Sequence, residues 1–287
     1  MFTRPFRYER AGSLVGASEA LRASEGTARI LAGGQSLLPM INLGLLEVGA
    51  LVDVSRLTEH RDVGEDDGFL EIGALIRHRD VVAHPLLLRH QPLLPEAARH
   101  VGSARIRNRG TLGGSLTHCD PAAELPLAMV ALGAEYKLVD AGGTRSVRAD
   151  EFHVSYFTSA LEPAEVLASV RVPKLGPGWG WGFAEVSRRP GDFALVAAAA
   201  LVRTAGGEVV ESRVALGGVS ERPLRLGAVE ASLGGGRPDE LEARVGPIQG
   251  LDPVTDTSAS ADHRRHLARV LMLRAVADAC RRAEDAA

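Results

Sequence analysis

The apolar positions change period several times along the first third of the chain. Residues 17–22 read as a short helix. Residues 28–31 form a compact apolar run that ends at Gly33 and Gly34, the pattern of a buried strand entering a tight turn. Helical spacing returns over 35–46, with Pro39 limiting where that helix starts. Residues 51–54 are a second strand, and 69–75 alternate apolar and polar positions as a third. Segments 77–88 and 93–101 read as helices, and 105–114 as a basic, glycine-containing loop. Residues 121–132 have Pro121 at the front and Gly133 just past the end, the usual helix asymmetry. Strands follow at 135–139, around Val147 and at 166–172. The Pro-, Gly- and Trp-rich stretch 173–182 is the expected domain boundary. Beyond it, 183–186, 193–203 and 209–216 are strand-like, with helices over 224–233 and 263–287. The last is amphipathic, with Leu267, Val270 and Leu271 on one face.

Composition narrows the class. A chain of 287 residues suggests about two domains and buries a core without staples. A net charge of −3 argues against wholesale nucleic-acid binding. Cys119 and Cys280 are too few for a disulfide framework or a cysteine-rich metal site, and they point to a reduced, cytoplasmic protein. No apolar stretch is long enough to span a bilayer, so contact with the inner face of a membrane would pass through a partner. Lys137 and Lys174 are the only lysines and neither follows a glycine, which removes a Walker A loop. No histidine spacing suggests a metal site.

Glycine is in excess, 32 of 287 residues or about 11% against about 7% on average. Two of its pairs sit in loops that lead into helices. The first loop runs Ala32, Gly33, Gly34, Gln35, Ser36 and Leu37; the second includes Thr111, Gly113, Gly114 and Ser115. Adjacent glycines let backbone N–H groups approach an anion without Cβ interference, and a helix N-terminus favours phosphate. Gln35, Ser36, Thr111 and Ser115 add side-chain donors. Two such elbows could hold a pyrophosphate, provided they meet in space. On spacing alone, each is equally well an ordinary turn, and no GxGxxG is present. His118 beside Asp120 lacks a nucleophile motif and reads as a local turn. His263 and His266 read as a solvated helix face. Arg105, Arg107 and Arg109 suit either phosphate or an acidic partner, and Trp179 and Trp181 read as packing anchors.

The longer motifs are more specific. LAGGQSLLPMINL (31–43), IRNRGTLGGSLTH (106–118) and DPAAELP (120–126) resemble the FAD-binding medium subunit of molybdenum hydroxylases, the xanthine dehydrogenase and aerobic carbon monoxide dehydrogenase group. SRRPGDFAL (187–195), ALGGV (215–219) and HRRHLARVL (263–271) resemble the C-terminal domain of the same subunits, closest to the carbon monoxide dehydrogenase type. The resemblance implies an α+β protein with a two-subdomain FAD-binding fold related to that of vanillyl-alcohol oxidase (1–58 and 59–174) and a small α+β C-terminal domain (178–287). It implies that both elbows bracket the FAD pyrophosphate and ribityl chain, and that Asp120, Glu124, Leu167 and Phe193 line the cofactor. Relatives commonly carry asparagine at Ser115, aspartate at Glu124 and alanine at Cys119. The molybdenum cofactor and [2Fe-2S] clusters are expected on a large and a small partner subunit, in a dimer of heterotrimers that delivers electrons to a quinone, NAD or oxygen. No residue of this chain is expected to act on the substrate. Two alternatives stay open: an autonomous FAD oxidase, for which the segment after Gly182 is short, and a non-redox assembly or binding protein.

Overall fold

A computed structural model describes residues 4–285. The chain builds three sheets in succession. The first is parallel, in the order β1-β3-β2, from β1 (Arg7–Arg10), β2 (Ala28–Leu31) and β3 (Ala50–Asp53). Helix α1 (Leu14–Ala23) links the first two strands and starts where the Ser13 hydroxyl accepts the Gly16 N–H at 3.0 Å. The short α2 (Leu37–Asn42) links β2 to β3.

The second sheet is antiparallel, in the order β4-β5-β10-β6-β7. Its strands are β4 (Val63–Asp66), β5 (Phe69–Gly73), β6 (Glu135–Asp140), β7 (Gly143–Arg148) and β10 (Val166–Pro173); a two-stranded hairpin, β8 (His153–Ser155) and β9 (Thr158–Ser159), precedes β10. Between β5 and β6 lie α3 (His78–Ala83), α4 (Pro85–His90), α5 (Leu93–His100), α6 (Ala104–Arg107), α7 (Leu112–His118) and α8 (Glu124–Leu132); α9 (Ala149–Phe152) follows β7. The helix expected over 77–88 breaks at Pro85, because His84 before it is forced to extended geometry. The basic loop expected at 105–114 is instead the helical turn α6, capped by Ser103, followed by the start of α7. Helix α8 is apolar on every side after its first residue, Glu124, and every one of its residues is buried.

The third sheet, antiparallel β11-β12-β13-β14, comprises β11 (Trp179–Ser187), β12 (Ala194–Ala205), β13 (Glu208–Gly217) and β14 (Leu224–Arg225). It is followed by α10 (Gly227–Leu233), α11 (Leu241–Arg244) and the long α12 (Ala261–Asp285). Residues 286–287, expected in the last helix, lie outside the described residues. This sheet is covered on both faces. Trp179, Trp181, Phe183, Ala197, Ala199 and Leu201 pack into the core that contains α8. Their alternating neighbours Ala184, Val196, Ala198, Ala200 and Val202 pack under α12. Burial on both sides explains the nearly continuous apolar run of β12. Within the expected boundary stretch, 179–182 are already strand β11. Their mixture of Gly and Trp is the pleat itself, with tryptophans towards the first core and glycines beneath a helix.

Candidate functional site

The first elbow begins where β2 ends. Leu31 is opposite Asp53, and the Val54 N–H donates to the Leu31 carbonyl at 3.0 Å. The chain then turns through Gly34 at φ +72°, a conformation that glycine tolerates best. Among the described residues, no backbone N–H from Gly33 to Leu37 donates to a protein acceptor. The Ser36 hydroxyl, at the head of α2, makes no capping bond either. Gln35 is exposed and its side-chain amide donates to the Gly33 carbonyl at 3.2 Å. The result is a row of consecutive free donors, the arrangement that binds anions.

The second elbow is built differently. Thr111 caps α7, its hydroxyl accepting the Gly114 N–H at 3.1 Å. The Gly113 N–H donates to Ala74 at 2.8 Å, and a Cβ on Gly113 would lie 2.7 Å from the Ala74 Cβ. Ala74 in turn donates to the Ala168 carbonyl at 3.0 Å, so the elbow is docked on β10 beside Leu167. His78, which sequence reasoning missed, staples the elbow. Its backbone N–H donates to Gly110 at 3.1 Å and its Nε2 lies 2.8 Å from the Thr111 carbonyl. Burial pulls the His78 pKa down to about 4, so the ring is neutral, donates from Nε2 and leaves Nδ1 buried without a partner. The two elbows are therefore not equivalent. The first offers free donors; the second uses its own for rigid packing and leaves Ser115 half-buried at its rim.

Although far apart in sequence, the elbows touch. A Cβ on Gly33 would fall 2.4 Å from the Arg109 carbonyl oxygen and 2.9 Å from the Gly110 Cα. Backbone lies against backbone here, a contact that only glycine permits. The Arg77 guanidinium donates to the same Arg109 carbonyl.

The remaining candidates fall into two groups. Asp120 makes a local turn, its Oδ1 accepting the Ala122 N–H at 2.9 Å, and burial raises its pKa. Leu167 is 5% exposed and its side chain is part of the core. Phe193 is 64% exposed at the tip of the β11–β12 hairpin, whose Gly191 would place a Cβ 3.1 Å from Gly102 of the preceding domain. Glu124, the first residue of α8, is 5% exposed. Burial raises its pKa to about 7, aided by the charge of Glu185 and opposed by His100. His100 and Glu185 line a cavity of about 290 Å³ between the domains, with Arg99, Arg107, Ser187 and Gly191. Glu96, 3.8 Å from His100, raises the imidazole pKa, whereas burial raises that of Glu185.

The sign of the Glu124 effect is testable. Its folded pKa lies above the ordinary 4.5, so its contribution is fully favourable below pH 4.5 and is lost as pH rises through about 7. The full shift amounts to about 3 kcal/mol. Urea unfolding of Glu124→Gln is expected to show a flatter stability profile between about pH 5 and about pH 8 than the unmodified chain. Parallel profiles would contradict the assignment.

Cys119 is buried, its thiol donating to the Leu116 carbonyl at 3.2 Å and lying 3.3 Å from His153 Nδ1. Tyr136 Oη lies 3.1 Å from His153 Nε2. Burial pushes the thiol to about 12 and the imidazole down to about 4, so this is a neutral packing network rather than a reactive thiolate. His263 and His266 are exposed, as expected for a solvated face, but Arg264 between them is buried. It ties α12 to the Leu195 carbonyl at 2.6 Å and to Asp256 at 2.8 Å. Among the described residues no cluster of His, Cys, Asp and Glu could hold a metal ion, and no helix is long and apolar enough to cross a membrane.

With this geometry in view, the relatives are informative. Residues 4–175 match the family described as FAD binding domain in molybdopterin dehydrogenase, and residues 181–279 match the CO dehydrogenase flavoprotein C-terminal domain. The chain belongs to the FAD-binding medium subunits of molybdenum hydroxylases. This medium subunit is 34% identical to the glyceraldehyde dehydrogenase medium chain of Sulfolobus acidocaldarius, over 96% of this chain and 98% of that one. It is 34% identical to the carbon monoxide dehydrogenase medium chain of Hydrogenophaga pseudoflava, over 95% and 96%. The solved carbon monoxide dehydrogenase of Hydrogenophaga pseudoflava superposes with a TM-score of 0.94 at 33% identity, covering 98% of this chain and 99% of that one. Quinoline 2-oxidoreductase of Pseudomonas putida 86 gives 0.91 at 36%, over 100% and 99%. The medium subunit is thus an oxidoreductase component with an FAD-binding domain followed by a C-terminal domain, in a multi-subunit assembly with large and small partners. The molybdenum cofactor and iron–sulfur clusters belong to those other subunits. The autonomous-oxidase and scaffold alternatives are not favoured.

Proposed function

We propose that the medium subunit seats FAD across the junction of the two elbows and relays electrons from the clusters of the small subunit to an external acceptor. The observation that carries this reading is the contact of Gly33 with Arg109 and Gly110 beside a row of unpaired backbone donors. That row is neutral and free of Cβ atoms at Gly33 and Gly34, which suits a diphosphate. When bound, FAD supplies exchange of one or two electrons, linking single-electron donors to a two-electron acceptor. The chain's own residues bind and orient. Ala32, Gly33, Gly34, Gln35, Ser36 and Leu37 hold the diphosphate, Thr111, Gly113, Gly114 and Ser115 position the ribityl chain, and Asp120, Glu124 and Leu167 support the ring system. Phe193, on its exposed hairpin tip, shields the ring from water.

The assembly we propose is a cytoplasmic dimer of heterotrimers, meeting a membrane only through partners, with a quinone, NAD or oxygen as acceptor. Relatives of similar identity are named for glyceraldehyde, 6-hydroxypseudooxynicotine and carbon monoxide. The substrate is therefore a property of the partner that meets it, not of this subunit. Purification of the native complex tests the reading. The expected result is about one FAD per medium subunit, with molybdenum and iron co-purifying in the partner subunits. A colourless chain, or a yellow chain that purifies without partners, would contradict it.

A further inference from the structure

The first elbow contributes donors but no net charge, whereas a diphosphate brings two negative charges. At the elbow junction Arg61, Arg79 and Arg109 act on the charge of Arg77, Arg107 acts on His78 beside it, and Arg105 lies in the same basic segment as Arg107. Among the described residues only Arg79 of these forms an ion pair, with its neighbour Asp80 at 3.2 Å. The others bond to neutral carbonyls or to nothing. Arg107 donates to Val101 at 2.9 Å and to Gly102 at 2.6 Å, and Arg61 donates to Ser55 while its Nε is buried without a partner. Like charges held together in this way repel, and an anion among them relieves the repulsion. Arg105 and Arg109 are exposed, but Arg77 is half-buried. Its Nη1–H donates to Arg109 O, the atom against which Gly33 packs. The guanidinium therefore stands at the seam of the two elbows, with further N–H groups of its fork free. Burial, then Arg61, Arg109 and Arg79, pull its pKa down against a smaller opposing effect of Asp80, so the cations around it outweigh the carboxylate.

We propose that Arg77 is the charged partner of the ligand's diphosphate, and that it makes this site selective for a nucleoside diphosphate over the uncharged parts of the same ligand. The inference rests on the FAD reading and adds to it a residue outside both glycine motifs.

The experiment uses the full chain stripped of flavin, with FAD, ADP, adenosine and riboflavin as probes in calorimetric titrations. Arg77→Gln is expected to weaken FAD and ADP by about 10- to 100-fold, the range for a lost charge-assisted hydrogen bond. Adenosine and riboflavin should be unchanged, and Arg77→Lys should recover part of the loss. A purely structural role in bracing Arg109 would instead weaken all four probes together and would overturn the proposal. So would ADP and FAD affinities in Arg77→Gln equal to those of the unmodified chain. If Arg77→Gln does not fold, the unmodified chain still decides: ADP binding must weaken with added salt while adenosine binding does not, and equal salt responses overturn the idea. Failure of the unmodified chain to take up FAD would instead refute the flavin reading itself.

Discussion

A Gly33→Val chain is expected to purify with a small fraction of the flavin carried by the unmodified protein. The added Cβ alone would lie 2.4 Å from the Arg109 carbonyl oxygen, and the atom it meets is backbone, not a side chain that can swing away. The elbows must part. Overpacking of this kind costs about 1–3 kcal/mol. Drawn entirely from cofactor affinity, that is about 5- to 150-fold in Kd. Absorbance near 450 nm per chain measures the loss, and far-UV circular dichroism should be unaltered because Gly33 lies outside every helix and strand. Valine at Gly64, where nothing lies within 4 Å of the Cβ position, is the control and should keep its flavin. Full flavin content in Gly33→Val would remove the elbow junction as the cofactor seat.

Gly182→Val should damage stability rather than flavin binding directly, and by more. Its Cβ would sit 1.9 Å from the Ala275 carbonyl oxygen and 2.7 Å from the Ala275 carbonyl carbon, so α12 cannot stay where it is. Gly180 meets Ala279 in the same way, one pleat along. Displacing α12 uncovers Ala198, Ala200 and Val202 on β12 and the helix's own Leu271, Met272, Ala275 and Val276. The expected cost is about 4 kcal/mol or more, in the range reserved for core disruption. Melting followed by the fluorescence of Trp179 and Trp181 should fall by on the order of 10 °C. Gly227→Ala, with open space around the Cβ position, should leave the melting point within error. An unchanged melting point in Gly182→Val would mean that α12 is not seated directly on β11.

Most of the elements were legible because the burial that shapes them is local in its periodicity. The run 28–31 ending at a glycine pair became β2 and its elbow, and the alternation at 69–75 became β5, ending at Gly73. The failures share a physical cause. Strand β1 is exposed along its length and shows no apolar pattern; only its parallel pairing to β3 defines it. Residues 179–182 look like a linker by composition, yet they are strand, because tight contact with α12 demands glycine on one face and the domain core demands tryptophan on the other. The basic stretch before the second elbow looked like loop because a single helical turn, Ala104–Arg107, is too short to display a period.

The site divides along the same line. The glycine motifs announced themselves, since a backbone that must approach another group closely excludes every residue with a Cβ. Their inequality did not. Nothing in the words GGQS and LGGS says that the first keeps its N–H groups free while the second gives Gly113 to Ala74 and Gly114 to Thr111. His78 and Arg77 were invisible as site residues for a similar reason: in the sequence they belong to a helical segment, and only folding carries them to Thr111 and Arg109.

The linear chain alone determined which segments could turn tightly, which could be buried, that two diglycine bends precede helices and, through its longer motifs, which family it resembles. The tertiary structure decided that those bends meet, which of them is left with unsatisfied donors, and which of many arginines stands at their seam without an ion pair. Periodicity and steric permission are properties of neighbours along a chain. The meeting of Gly33 with Arg109, and the charge left over beside it, depend on three segments being folded together, and no local pattern encodes that.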